Sequence, residues 1–228
     1  MKLLIAIPCY NEAEKIGEVV ASVPPRFDGV DLTRILVVDD GSSDDTARVA
    51  HEAGATVIRH KINKGLGEAF RSAVDFAIDH VYDLMVNMDG DGQFDSRDIA
   101  RLIRPLLEHE ADFVTASRFL ENKRIQNMPP VKRWGNARMN SLVSFLCGRR
   151  FSDVSCGFRA YSRDTLLKIN FYGRFTYTQE SFINFHYYNL AIREVPVNVT
   201  YFPERKSRVA GSVWKYLKKT AGILVGLM

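Results

Sequence analysis

The stretch Leu84–Asp95, LMVNMDGDGQFD, decides how this chain is read. An apolar run ends in Asp89, Asp91 and Asp95, carboxylates spaced two and four apart. Like charges repel and resist desolvation, so a buried strand that finishes in three of them requires something positive nearby. Working outward, three upstream runs have the same character: KLLIAIP, RILVVDD and ATVIRH. Helix-like stretches separate them. Asn11 is expected to cap a helix that runs through Val20, and Ser43 or Asp44 to cap SSDDTARVAHEAG, which Gly54 terminates. In GEAFRSAVDFAIDH, residues Ala69, Ala73, Phe76 and Ala77 share one helical face, and SRDIARLIRPLLEH supplies a further helix that Asp95 caps. Continuous apolar strands alternating with helices imply an α/β fold with a mostly parallel sheet buried on both faces. Ligands of such sheets collect beyond the carboxyl ends of the strands, where PCYNE, VDDGSSDD and MDGDGQ lie.

Beyond DFVTASR the pattern is less regular. FLENKRIQNMPPVKRWGNAR reads as a mobile loop leading into a helix near Arg133–Cys147, and SDVSCGFRAYSRD as loop then strand. TQESFINFHYYNL reads as an aromatic helix whose Phe182, Phe185, Tyr187 and Tyr188 are expected in the core, with His186 structural. AIREVPVNVTYF reads as an edge strand, where Pro196 is tolerated. No repeat or linker interrupts the chain, so one domain over residues 1–212 is expected, followed by a basic and aromatic C-terminal helix over 213–228.

The totals narrow the function. With 228 residues, 46% of them hydrophobic, the chain can bury a full core. Its 31 basic and 27 acidic side chains leave a net charge of only +4, and no nucleic-acid-binding motif accompanies it, which argues against nucleic acid. Cys9, Cys147 and Cys156 fit neither a disulfide framework nor a paired zinc motif, so inert thiols in a reducing compartment are expected. MKLLIAIPCYNE is too short an apolar run for a signal peptide, and no segment reaches the roughly 18 apolar residues of a membrane span.

Asp89, Asp91 and Gln93 offer three oxygen ligands from one short loop, a set suited to Mg²⁺ or Mn²⁺ that keeps positions for phosphates. The same residues read equally as a solvated Asp-Gly turn. Asp39 and Asp40 can accept hydrogen bonds from a nucleobase or ribose, or simply form a strand-to-helix turn. Tyr10 and Glu12 stand where a base pocket would be lined.

The order IPCYNE, VVDDGSSDDT, NKGLGEA, NMDGDGQFD closely resembles the family-two glycosyltransferases of GT-A fold. SDVSCGFRAYSR resembles the D-x-x-x-G-F-R segment of the dolichol-phosphate mannosyltransferase-like branch, and REVPVNVTYFPERKSRVAGS its closing E-V-P and R-x-x-G-x-S stretch. In that last segment GSVWK stands where the branch usually carries G-x-S-K. The resemblance implies a three-layer, Rossmann-like GT-A domain that moves a sugar, by inversion, from a nucleotide donor to a polyprenyl phosphate. Pro8, Tyr10, Glu12, Asp39, Asp40, Lys64, Gly65 and Asp89 would bind the nucleotide sugar. Asp89, Asp91 and Gln93 would hold Mg²⁺ or Mn²⁺. Arg118, Arg133, Arg159 and Arg208 would receive the acceptor phosphate, with Asp91, Arg118 and Arg208 at the chemistry.

A lipid phosphate arrives ionised and needs no general base, whereas a saccharide hydroxyl would, and Glu180 is the candidate base for that rival acceptor. A sugar nucleotidyltransferase would carry a glycine-rich, basic signature after the first strand, which PCYNEAEK lacks; a nucleotide-binding protein without turnover is the remaining alternative. From Lys123 to Arg150 there are seven Lys or Arg and no Asp or Glu, and WKYLKKTAGILVGLM interleaves aromatic and basic residues. Both stretches suit an anionic membrane surface, placing the protein at the cytosolic face of a membrane.

Overall fold

The computed structural model describes residues 1–121, 128, 130–169 and 178–200. Seven strands and seven α-helices follow in the order β1 (Lys2–Cys9), α1 (Ile16–Ser22), β2 (Leu32–Asp39), α2 (Thr46–Glu52), β3 (Thr56–Arg59), α3 (Leu66–Asp79), β4 (Leu84–Asn87), α4 (Ile99–Leu107), β5 (Phe113–Ser117), α5 (Pro130–Leu146), β6 (Arg159–Ser162), α6 (Arg163–Leu167), α7 (Thr178–Tyr187) and β7 (Ile192–Pro196). They form one sheet in the order β3-β2-β1-β4-β6-β5-β7. All pairings are parallel except those of β6, which runs antiparallel to β4 and β5.

Alternation along β1 builds the three layers. Leu3, Ile5 and Ile7 face one core, shared with Val19 and Val20 of α1 and Ile99, Leu102, Ile103 and Leu106 of α4. Leu4 and Ala6 face the other, shared with α3, α5 and α7. The α4 set falls at i, i+3, i+4 and i+7, a stripe along one side, while Arg104 on the opposite side pairs with Glu108 in water. Burying each of those four side chains contributes about 1.5–3 kcal/mol. In α3 the small Ala69, Ala73 and Ala77 lie against the sheet, as the helical periodicity suggests, but Phe76 is only half-buried and Phe70 and Val74 complete the buried face.

Several local expectations are corrected. Asn11 does not cap α1, which begins five residues later; its Oδ1 accepts the amide hydrogen of Ser43 instead. Asp44 accepts from the amide of Thr46, the first residue of α2, so it closes that turn. Asp95 caps as expected, taking the amide of Arg97 above a 3-10 turn at Ser96–Asp98. Gly54 ends α2 in the left-handed region at φ +95°, and Pro196 lies on the edge strand β7. Phe182 and Phe185 are fully buried, but Tyr187 and Tyr188 are exposed, because they fall past the side of α7 that packs on the sheet. The loop residues 122–127 and 129, and the C-terminal helix expected over 213–228, lie outside the described residues.

Chain order places the site. From β1 the strands proceed outward to β2 and β3, then return to the other side at β4. The crevice between the carboxyl ends of β1 and β4 is therefore the switch point at which such folds bind ligands. Because β6 is antiparallel, the loop preceding it, residues 153–158, is delivered to that same end: Arg159 pairs with Asn87.

Candidate active site

Two carboxylates occupy the switch point. Asp89 and Asp91 follow β4 and are half-buried. Gly90 between them packs so closely on β1 that a Cβ would run into Cys9 Sγ and Ile7. Gly157, from the loop before β6, leaves space for the other side of the pair: a Cβ there would sit 3.1 and 3.2 Å from the Asp89 carboxylate oxygens. The carbonyl of Gly157 is held by Asn87 Nδ2 at 2.9 Å, so loop and strand end move together. Asp91 Oδ1 accepts the amide of Gln93 at 3.0 Å. The Cys9 thiol reports the local field. Burial pushes its pKa well above the usual thiol value, and the nearby carboxylates of Glu12, Asp39, Asp89 and Asp91 push it further.

The wall formed by the ends of β1 and β2 is knitted by side chains taking backbone hydrogens. The Asn11 amide donates to Ser42 Oγ at 2.9 Å, and the Glu12 amide to Thr46 Oγ1 at 2.8 Å. Asn11 itself is in the left-handed region at φ +54°, where asparagine is among the better-tolerated residues. Asp39 and Asp40, expected to hold a nucleoside, are engaged by their own chain. Asp39 is fully buried, accepts the Ser42 amide at 2.9 Å and pairs with Arg59 Nε at 3.1 Å. Asp40 accepts the amides of Lys64 and Gly65 at 2.9 and 2.8 Å and faces His60 Nδ1 at 2.7 Å, while His60 Nε2 meets Ser72. These carboxylates fix the turn into α3. Pro8 is buried, and Tyr10 and Lys64 are exposed on this wall.

The opposite wall is cationic. Arg118, just past β5, forms a two-pronged ion pair with the buried Asp153, Nε to Oδ2 at 2.6 Å and Nη2 to Oδ1 at 2.9 Å. Asp153 is positioned in turn by Glu194 of β7, whose carboxylate accepts the amides of Ser152 and Asp153 and the Ser152 hydroxyl. Lys132 of α5 completes this side. Burial lowers its pKa and the Arg118 charge lowers it further, while Asp91 opposes both, so the three lie within electrostatic reach. Its neighbour Arg133 turns outward and is exposed.

Arg159 requires a correction. It is fully buried, donating Nε to the Cys156 carbonyl at 2.7 Å and Nη2 to the Val154 carbonyl at 3.0 Å, over the rings of Phe113 and Phe182. It braces the 153–158 loop from beneath and does not meet an acceptor. Glu180, the candidate base, is 2% exposed. The carbonyl of Gln93 accepts the amide hydrogen of Thr200 at 3.0 Å. Arg208 lies outside the described residues. The residues that reading the chain missed are Lys132, Asp153 and Glu194. Asp153 and Glu194 lie within the SDVSCGFR and REVP segments, and Lys132 stands beside Arg133.

Among the described residues no three His, Cys, Asp or Glu side chains converge as a closed metal site. Two adjacent carboxylates, with space preserved by Gly157, still fit an Mg²⁺ or Mn²⁺ that takes its remaining ligands from phosphates and water. Comparison with known proteins agrees with the fold. The model for glycosyl transferase family 2 matches residues 4–169. UDP-N-acetylglucosamine–dolichyl-phosphate N-acetylglucosaminyltransferase of Methanococcus voltae is 29% identical, covering 87% of this chain and 86% of that protein. Polyprenol monophosphomannose synthase of Mycolicibacterium smegmatis is 32% identical over 74% of this chain, which spans 64% of that protein's length. Glucosyl-3-phosphoglycerate synthase of Mycobacterium tuberculosis, solved with Mn²⁺, UDP and phosphoglyceric acid, superposes at a TM-score of 0.75 with 21% identity, over 99% of this chain and 78% of that one.

Proposed function

Because the chain belongs to glycosyl transferase family 2, we propose that it moves a hexose, with inversion, from GDP-mannose or a UDP-hexose to a polyprenyl phosphate at the cytosolic face of a membrane. The observation that carries this reading is Lys132, within electrostatic reach of both Asp91 and Arg118, beside an Arg118 guanidinium that Asp153 holds in place. A phosphate acceptor needs such a pair and needs no base. The dolichyl phosphate in the name of the Methanococcus voltae relative and the polyprenol monophosphomannose in that of the Mycolicibacterium smegmatis relative support the same class of acceptor.

Asp89 and Asp91, with Gln93 alongside, would hold Mg²⁺ or Mn²⁺. When bound, the cation would offset the charge that develops on the departing nucleoside diphosphate. Pro8, Tyr10 and Glu12 line the nucleoside side, on a wall that Asp39 and Asp40 keep rigid. Arg118 and Lys132 orient the acceptor so that a phosphate oxygen forms the bond to the anomeric carbon as the bond to the diphosphate oxygen breaks. Glu194 and Asp153 hold Arg118 in place before substrate arrives, which avoids reorganisation during the reaction. Arg133 at the mouth and Arg208 remain candidates for the same phosphate. The burial of Glu180 weighs against a hydroxyl acceptor that depends on it.

The test is transfer of labelled sugar from a panel of GDP- and UDP-sugars, with Mn²⁺, to undecaprenyl or dolichyl phosphate or to an oligosaccharide. Transfer to the lipid phosphate that Asp91→Ala abolishes is expected. Transfer only to the oligosaccharide would refute the acceptor. A folded protein whose melting temperature no nucleotide changes would refute the donor site.

A further inference from the structure

Helix α5 is apolar on two sides, and among the described residues only one of them is covered. Met139 and Val143 pack into the core beneath it, and Lys132 on that same inward side reaches toward Arg118 and Asp91. The outward side presents Val131, Trp134, Leu142 and Phe145 at 57%, 55%, 41% and 83% exposure. At 3.6 residues per turn these four and Arg138 fall within an arc of about 80°, a continuous stripe along the helix. Arg138 sits inside that stripe with its guanidinium 5.4 Å from the Trp134 ring centre. Scattered exposed apolar residues need no explanation; a stripe of this width on one helix does.

We propose that this outward face of α5 docks on an anionic lipid bilayer, an inference that rests on the lipid-phosphate reading of the site. Charge selects the occupant. Apart from the inward Lys132, the helix and its flanks carry the exposed Arg133, Arg138, Arg149 and Arg150, with no acidic residue from Lys123 to Arg150. A second copy packed by twofold symmetry would set this basic surface against itself, which costs binding energy. An anionic headgroup layer meets it with opposite charge, and the hydrocarbon boundary takes the stripe. Arg138 stacked on Trp134 suits the interface between the two, where an apolar body and a polar tip are both solvated. Docking also orients the crevice. The helix that lies on the bilayer carries Lys132 on its inner side, so a lipid phosphate at headgroup depth enters beside Arg118. Among the described residues no helix is long and apolar enough to cross a membrane, so α5 lies on the surface.

The experiment uses the full chain and flotation with phosphatidylglycerol vesicles against phosphatidylcholine vesicles. The protein is expected to float with the anionic vesicles, and the double variant Trp134→Ser, Phe145→Ser to partition about tenfold less or weaker still. A second variant, Arg138→Gln with Arg150→Gln, is expected to lose the preference for anionic lipid. In a Trp214→Phe background the one remaining tryptophan, Trp134, should shift to the blue and be quenched by brominated lipid. Equal flotation of the Ser double variant would overturn the proposal, as would a wild type that floats with neither vesicle. So would sedimentation velocity showing a dimer that the same variant dissociates. Transfer to a short, water-soluble prenyl phosphate is measured alongside. The Ser double variant should keep it; if even the wild type lacks it while floating, the lipid-phosphate reading fails and the docking surface stands.

Discussion

Replacing Gly157 by alanine should move stability and metal affinity in opposite directions. Gly157 is not among the glycines with positive φ, so an alanine fits the backbone there. Such a replacement restricts the unfolded chain and stabilises a protein by about 0.4–1 kcal/mol. The added methyl, however, lies 3.1 and 3.2 Å from the two oxygens of Asp89 and 3.5 Å from its Cγ. The carboxylate must retreat by a few tenths of an ångström. Metal–ligand distances tolerate only about 0.2 Å. Displacing a ligand through its support typically weakens a metal site about 10- to 100-fold, which is about 1.4–2.7 kcal/mol. The assay is a Mn²⁺ titration followed by electron paramagnetic resonance in the presence of GDP or UDP, beside a thermal melt of the same preparation. A variant that melts at or above the wild-type temperature and binds Mn²⁺ as tightly would refute the reasoning, since Asp89 would then be either mobile or no ligand.

Asp153→Ala removes the buried carboxylate partner of the two-pronged Arg118 ion pair, whose guanidinium is only 12% exposed. A loss of about 3–5 kcal/mol is expected. For a chain of this size that lowers Tm by about 6–20 °C, read by calorimetry. Glu194→Gln keeps the shape but removes the charge that holds Ser152 and Asp153. Sugar transfer should fall while nucleotide affinity holds, because this network reaches Arg118 and leaves the β1–β2 wall untouched; the opposite pattern would place Glu194 elsewhere in the mechanism. The thiols should be silent in the native protein. Burial raises Cys147 to about 11 and, with Asp153 nearby, Cys156 to about 12, while Cys9 is pushed well above its usual value. At pH 8 the Cys147 thiolate is then about one part in a thousand, so Ellman's reagent should find no reactive thiol until denaturant exposes all three; a native thiol that reacts promptly would contradict the burial.

Sequence pattern specified what depends on local periodicity. β1 and β2 are continuous apolar runs whose ends carry the acidic loops, and the parallel core and the position of the crevice follow from them. The antiparallel β6 did not follow. It is four residues long, and its pairing with β4 joins positions 72 apart, from Asn87 to Arg159. No local pattern encodes that contact. Side-chain roles are legible where the partner is near in sequence, as for Asp44 with the Thr46 amide and Asp95 with the Arg97 amide. Asp40 looked available to a nucleoside because its main partners are the amides of Lys64 and Gly65, which leave no trace in composition. Arg159 looked like a phosphate ligand because the carbonyls that take its hydrogens are equally invisible. Lys132 and Arg133 are adjacent in sequence, but one residue on a helix is about 100°, which sets Lys132 inward and Arg133 outward.

The structure separates the three carboxylates that end the Leu84–Asp95 stretch. Asp95 leaves the cluster to cap the turn before α4 and is paired with Arg97. Asp91 is steadied by the Gln93 amide and lies within reach of the Lys132 charge. Asp89 occupies a space that exists only because Gly157 has no side chain. Each charge is thus accommodated by a different element: the turn before α4, helix α5 and the loop before β6. The last two enter the sheet region only because the chain reverses to form β6. The two walls of the crevice therefore come from different halves of the fold, the first from the parallel β1–β2–β4 unit and the second from β5, α5, the 153–158 loop and β7. On the proposed function, substitutions on the second wall are expected to change which acceptor is used without disturbing the Asp89–Asp91 pair, provided Gly157, the residue at which the two walls touch, is kept.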